Sequence, residues 1–203
     1  MADRRSHEQM RAAALAAARE LLLSEGPAAI TLMAVGEAVG RRHGTIAYHF
    51  GTSEELNTAL MTSMVSDLAE QLARIFATPG PPAKRAKLLV DAVFDVFEDG
   101  GAGMLTAWIV LAGKKRRLEP IRYAVGLLIR QVRSQLAAAG NPLPTRKVQE
   151  AIMFLTLTAF ADSLIGPDMC TILGIGDGSM RDLALRLLPA FFEAGEQKRP
   201  AQK

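Results

Sequence analysis

An all-α fold is predicted for this chain, with three compact helices followed by about six longer ones, and three observations predict it. β-branched residues are few and period-two alternation is never sustained, so strands have no signature. Apolar residues recur instead at i, i+3, i+4 and i+7. Most stretches between glycine and proline punctuation are long enough for helices.

The first helix is expected from about His7 to Ser24, with Ala14, Leu15, Ala18, Leu21 and Leu22 as its apolar stripe, and Glu25-Gly26-Pro27 ends it. The second is short, running from an N-cap at Thr31 to Gly40, a residue suited to the left-handed conformation that follows many helices. The third covers roughly Arg42 to Tyr48. Thr52 with Glu55 three residues on forms a capping box that opens a fourth helix to about Ala77, where the prolines up to Pro82 break it. Further helices are expected over Ala83 to Glu98, Met104 to Leu111, Pro120 to Ala139, Thr145 to Ile165 and Ser179 to Ala194, the last kinked or shortened by Pro189. A boundary at Thr52 divides a 1–51 domain from a 52–203 domain.

With 203 residues, 49% of them hydrophobic, the chain has enough apolar surface for a folded core. Its net charge of +3 permits an anionic partner without demanding one, and the first 55 residues carry six Lys/Arg against seven Asp/Glu. Any nucleic-acid contact must therefore come from a local patch. The one cysteine, Cys170, has no disulfide partner, and no Cys/His cluster has zinc spacing, so no metal site and a cytoplasmic location are expected. The charged, alanine-rich amino terminus lacks a signal-peptide core, and no charge-free apolar run of about 18 residues predicts a membrane partner.

The stretch from Thr31 to Phe50 carries the most specific pattern. In a helix-turn-helix the first helix needs a small residue where the second crosses it, apolar residues beside that, and a turn glycine four residues later. Gly36, Val35, Val39 and Gly40 meet this specification. Ile46 then faces inward, while Arg42, His43, Thr45, Tyr48 and His49 can line the outer face. Arginine can pair with guanine, His and Thr with bases or phosphates, and Tyr with a phosphate oxygen. A basic surface turn in an ordinary helical bundle is the alternative.

The first 60 or so residues resemble the TetR family of bacterial transcriptional regulators. The resemblance is carried by Arg11, Ala14, Leu15, Ala17, Ala18, Leu21, Leu22 and Gly26, then Thr31, Val35, Glu37, Ala38, Gly40, Gly44, Thr45, Phe50 and the run Glu54-Glu55-Leu56. It implies a three-helix DNA-binding head on a ligand-binding and dimerisation body, acting as a repressor that a small apolar or amphipathic effector releases from double-stranded operator DNA. The DNA-binding residues expected on this basis are Thr31, Arg41, Arg42, His43, Gly44, Thr45, Tyr48 and His49. The chain also departs from the family. Arg41 and Arg42 stand where the pair is usually small or apolar, Ala47 replaces a backbone-contacting tyrosine, and Ser53 replaces a backbone-contacting lysine. Arg41, Arg42 and Tyr48 can supply the displaced contacts.

Helix Thr145 to Ile165 is apolar nearly all round, and Leu183, Leu187, Leu188, Phe191 and Phe192 make the last helix similar. A helix of that kind must be covered on two sides. Together with the resemblance this implies a homodimer through Leu155, Leu183, Leu187 and Phe191. The resemblance implies an effector pocket, for which Phe94, Phe97, Met104, Trp108, Tyr123, Phe154, Thr158 and Asp162 are the candidate lining, although for any one of them core packing is the stronger reading. The run Lys114 to Arg117 reads as a solvated loop, or as one that adds phosphate attraction near the head. His7, His43 and His49 lie away from any acid cluster, and no nucleophile elbow or phosphate loop accompanies them, so neither a catalytic site nor a cofactor is expected. The competing class is a helical ligand-binding or adaptor protein whose helix-turn-helix no longer binds DNA.

Overall fold

The computed structural model describes residues 2–112, 119–138 and 140–193, and among these every regular element is helical. In chain order they are α1 (Ala2–Glu25), a 3-10 turn (Pro27–Ala29), α2 (Leu32–Ala38), α3 (His43–Phe50), α4 (Ser53–Ala77), α5 (Pro82–Phe97), α6 (Ala102–Leu111), α7 (Glu119–Ala138), α8 (Thr145–Leu173), α9 (Ser179–Leu187) and α10 (Ala190–Glu193). They pack into two units, one made of Met1–Glu70 with Asp95–Leu128, the other of Gln71–Phe94 with Ile129–Lys203.

In the first unit the stripe expected of α1 is the one that is buried. Ala14, Ala18 and Leu22 meet Val35 of α2, Ile46 and Phe50 of α3, Leu56, Leu60 and Met64 of α4, and Leu105 and Ile109 of α6. Each large aliphatic side chain taken out of water there contributes roughly 1.5–3 kcal/mol. Local signals set the helix starts. The Thr31 hydroxyl accepts the Ala34 N–H at 3.1 Å. At α4, Thr52 N–H donates to Glu55 Oε2 at 2.8 Å while Glu55 N–H donates to Thr52 Oγ1 at 3.1 Å, the reciprocal pair of a capping box.

In the second unit α9 and α10 pack on α8, and the helix expected from Ser179 to Ala194 is split at Leu188-Pro189. The larger correction concerns α8, which does not stop at Ile165 but runs on through Pro167 to Leu173. Gly166 and Pro167 read as a stop, yet Gly166 is buried and continues the inward stripe of Val148, Ala151, Leu155 and Ala159 on to Cys170. That burial offsets the hydrogen bond that proline cannot make. The true stop is Gly174, in the left-handed conformation, where Ile175 N–H reaches back to Cys170 O at 3.0 Å. By length and composition α8 is apolar enough to cross a membrane, which the absence of a long charge-free run does not suggest.

Candidate functional site

The pair α2 and α3 is closed by backbone geometry. Gly40 has φ +65°, its N–H donates to Glu37 O at 3.1 Å, and Arg41 N–H donates to Gly36 O at 2.7 Å. These are the two bonds of a Schellman ending. They draw the turn onto α2 so tightly that a Cβ on Gly36 would lie 2.8 Å from the Arg41 carbonyl oxygen and 3.4 Å from His43 N. The small residue expected in mid-helix is required by that approach.

With Ile46 and Phe50 turned inward, Arg41, Arg42, His43 and Gly44 are exposed at the amino end of α3, and Tyr48 is 80% exposed one turn further on. Arg42 occupies the N-cap position and its side chain caps nothing. The leading amides of α3 therefore keep the partial positive charge of a helix start. Two guanidinium groups, an imidazole, a phenol and an uncapped helix start form one outward patch suited to an anionic surface.

The structure assigns other work to some of the expected DNA-contacting residues. Thr31 caps α2 and is half-buried, and Thr45 is half-buried on α3. His49 turns towards α1. Its ring lies 4.2 Å from that of His7 and 5.5 Å from that of Tyr48, and its carbonyl oxygen accepts from Arg11 Nη1 at 2.9 Å. Arg11 also lies over the Phe50 ring, 4.5 Å from its centre. The buried Nδ1 of His49 has no hydrogen-bond partner, and its pKa is held below 6.5, first by burial, then by His7, then by Arg11. Ser53 is a residue whose role sequence reading missed. Its hydroxyl accepts the Leu32 N–H at 3.2 Å, so the start of α4 helps to cap α2.

The proposed effector residues fall in both units. In the first, Phe97 packs against the core, while Met104, Trp108 and Tyr123 are exposed. In the second, Phe94 is buried beneath the Arg181 guanidinium, 5.4 Å from the ring centre, Phe154 pairs with Phe191 at 5.1 Å, and Thr158 Oγ1 donates to Phe154 O at 2.6 Å. Asp162 lies against Gly166 on the same helix, where it fills the space a Cβ would need. Trp108 borders a cleft within the first unit, shared with the 3-10 turn and the start of α4, that sequence reading did not group it with.

Of the expected dimer residues, Leu155 is 8% exposed and packed within its own chain, and Phe191 is half-buried against Phe154. Leu183 and Leu187 are exposed, as are Met153, Leu157, Leu164, Ile165 and Met169 on α8. The Lys114 to Arg117 run lies outside the described residues.

No family model and no curated protein matches the sequence. Solved structures do match its fold. FadR from Bacillus halodurans, a fatty acid degradation regulator, aligns with a TM-score of 0.65 at 15% identity over 94% of this chain and 97% of that one. The transcriptional regulator FadR from Bacillus subtilis, in complex with stearoyl-CoA, gives 0.65 at 14% identity over 90% of this chain and 98% of its own. Thermus thermophilus FadR, a TetR family transcriptional repressor in complex with lauroyl-CoA, gives 0.60 at 18% identity over 95% and 99%. What these similarities share with the chain is the all-α fold that the resemblance of its first 60 residues implied.

Proposed function

We propose that a chain with the fold of these regulators is itself a TetR-family transcriptional regulator, binding operator DNA as a homodimer and responding to a small effector. The observation that carries the reading is the exposed start of α3. A turn that only glycine at position 36 permits holds an uncapped helix end with Arg41, Arg42 and His43 clear of the core. Helix amino ends and arginines are both phosphate ligands, and a helix held this way can enter a major groove.

In this reading residues 1–51 form the DNA-binding head, and Arg41, Arg42, His43, Gly44 and Tyr48 make its first contacts. Ser53 carries no charge and its hydroxyl oxygen is turned to the Leu32 N–H, so it does not supply the cation of the family's lysine, and Arg41 and Arg42 take over that role. The exposed leucines of α9 and the exposed face of α8 meet their counterparts in a second copy. An amphipathic effector in the body favours a spacing of the two heads that no longer fits successive grooves, which makes the chain a repressor. The acyl-CoA complexes of the structural neighbours support an amphipathic ligand class. By linkage, DNA must weaken effector binding by the same factor as effector weakens DNA binding.

The test is a gel-shift and anisotropy screen of the full chain against the DNA flanking its own gene. A specific, salt-sensitive complex is expected. Binding to none of these duplexes at low salt, from a chain that is folded and dimeric, would favour the adaptor reading. The loss of the two family anchors at Ala47 and Ser53 is the observation behind that alternative.

A further inference from the structure

The two ends of α3 are held in opposite ways. At the amino end the N-cap residue, Arg42, makes no capping bond. At the carboxyl end the Arg11 guanidinium, from α1, donates from Nη1 to the His49 carbonyl oxygen at 2.9 Å and lies over the Phe50 ring, 4.5 Å from its centre. Carbonyl groups of a helix's last turn have no partner within the helix, and the helix dipole favours a cation beside them. Arg11 supplies both the donor and the charge at that point. It is half-buried, so the bond is partly shielded from water.

We infer, on the DNA-binding reading proposed above, that Arg11 is a positioning residue: it fixes the carboxyl end of α3 against α1 and so sets where Tyr48 meets the duplex. α3 has eight residues and is about 12 Å long, and two fixings define its axis. One is the turn at its amino end, where Arg41 N–H donates to Gly36 O at 2.7 Å. The other is Arg11. Burial of Ile46 and Phe50 sets how deep the helix sits, but burial has no direction, whereas a hydrogen bond to one carbonyl does. Tyr48 immediately precedes His49 and is 80% exposed, so it moves furthest when the carboxyl end is released. Arg41 and Arg42 stay anchored by the turn. Arg11 thus acts on DNA through α3 and not as a phosphate ligand.

The experiment compares Arg11→Ala and Arg11→Lys with the parent chain, at a temperature where all are folded by circular dichroism. Arg11→Ala should bind the cognate duplex roughly tenfold more weakly, about what a hydrogen bond to a charged group supplies, with an unchanged salt slope. Arg11→Lys keeps a donor and a charge but not the flat group over Phe50, and should recover part of the loss. In double-mutant cycles Arg11→Ala should be non-additive with Tyr48→Ala and additive with Arg41→Ala. Without DNA, Arg11→Ala should speed amide exchange at Gly51, which bonds Ala47 O in the last turn of α3, and leave Val39, which bonds Val35 O in α2, unchanged. A salt slope lower by about one would make Arg11 a phosphate ligand, and unchanged cognate affinity or additivity with Tyr48→Ala would make it a packing contact alone. Each of these overturns the proposal. A parent chain that binds no duplex fails the DNA-binding reading instead, and Gly51 then decides the tether by itself: faster exchange supports it, unchanged exchange overturns it. If Arg11→Ala does not fold, Arg11→Lys carries the same comparisons with smaller effects.

Discussion

The Arg41 carbonyl oxygen lies where a side chain on Gly36 would have to pass, 2.8 Å from the position of its first carbon. Because the obstacle is backbone, it cannot rotate away. Gly36→Ala should therefore force the turn off α2 and break the Arg41 N–H to Gly36 O bond. The expected cost is about 1–3 kcal/mol, or roughly 2–4 °C in Tm for each kcal/mol in a chain of this size. Calorimetry measures it, and a variant as stable as the parent would show that the turn yields without cost. DNA affinity should fall by more than stability alone explains, because the same turn aims α3.

Arg41→Ala and Arg42→Ala test what the outward patch does. If each arginine holds a phosphate, either change should weaken binding to cognate and unrelated duplexes alike, and should lower the salt slope by about one for each phosphate no longer neutralised. If Arg42 reads a guanine edge, its removal should cost about 1–3 kcal/mol on the cognate site alone and relax preference at one base pair of each half-site. Indifference to both substitutions across a salt series would reduce the patch to a solvated turn.

Much of this patch was legible in the sequence because helix-turn-helix geometry is set by local requirements. A small residue at 36, a turn glycine at 40 and an inward Ile46 are decided by neighbours a few positions away. Thr31 and the Thr52 and Glu55 pair were legible for the same reason, as caps that act within one turn. The roles of Ser53 and His49 were not, because each is defined by a partner far along the chain: Leu32 for Ser53, and His7 and Arg11 for His49. The end of α8 was misjudged on the same grounds. Gly166 and Pro167 signal a break locally, and it is burial of Gly166 and Cys170 that overrides it.

The His49 imidazole gives the first unit a pH dependence with a definite sign. Its folded pKa is below 6.5, so just under that pH the unfolded chain binds more protons than the folded one. Stability should decline as pH falls from about 6.5 towards the lowered folded value and should be unaffected by this group above that range. The charged and titratable groups around it are His7, Arg11 and Tyr48. His49→Gln should flatten the Tm profile on the acid side of about pH 6.5. A parent profile whose Tm rises as the medium is acidified would contradict the assignment.

The exposed leucines of α9 sharpen the dimer prediction. Leu187, 44% exposed, can be replaced by Glu without damage to its own chain, and Leu187→Glu should give a folded monomer by sizing and circular dichroism. Leu155→Glu places a charge inside the second unit and should unfold or aggregate it, whatever the oligomeric state. A parent chain that runs as a monomer at the concentrations used for DNA binding would remove the dimer from the proposal.

The hydrogen bond from Leu32 N–H to the Ser53 hydroxyl also decides where the polypeptide can be cut. A fragment ending at residue 51 would keep every base-facing and phosphate-facing side chain proposed for the head, yet it would lack an acceptor at the start of α2 and the apolar floor supplied by Leu56, Leu60, Met64, Leu105 and Ile109. The smallest self-supporting piece that carries the contacts proposed for the head is therefore discontinuous, and grafting it onto another protein would require carrying α6 along with the first four helices.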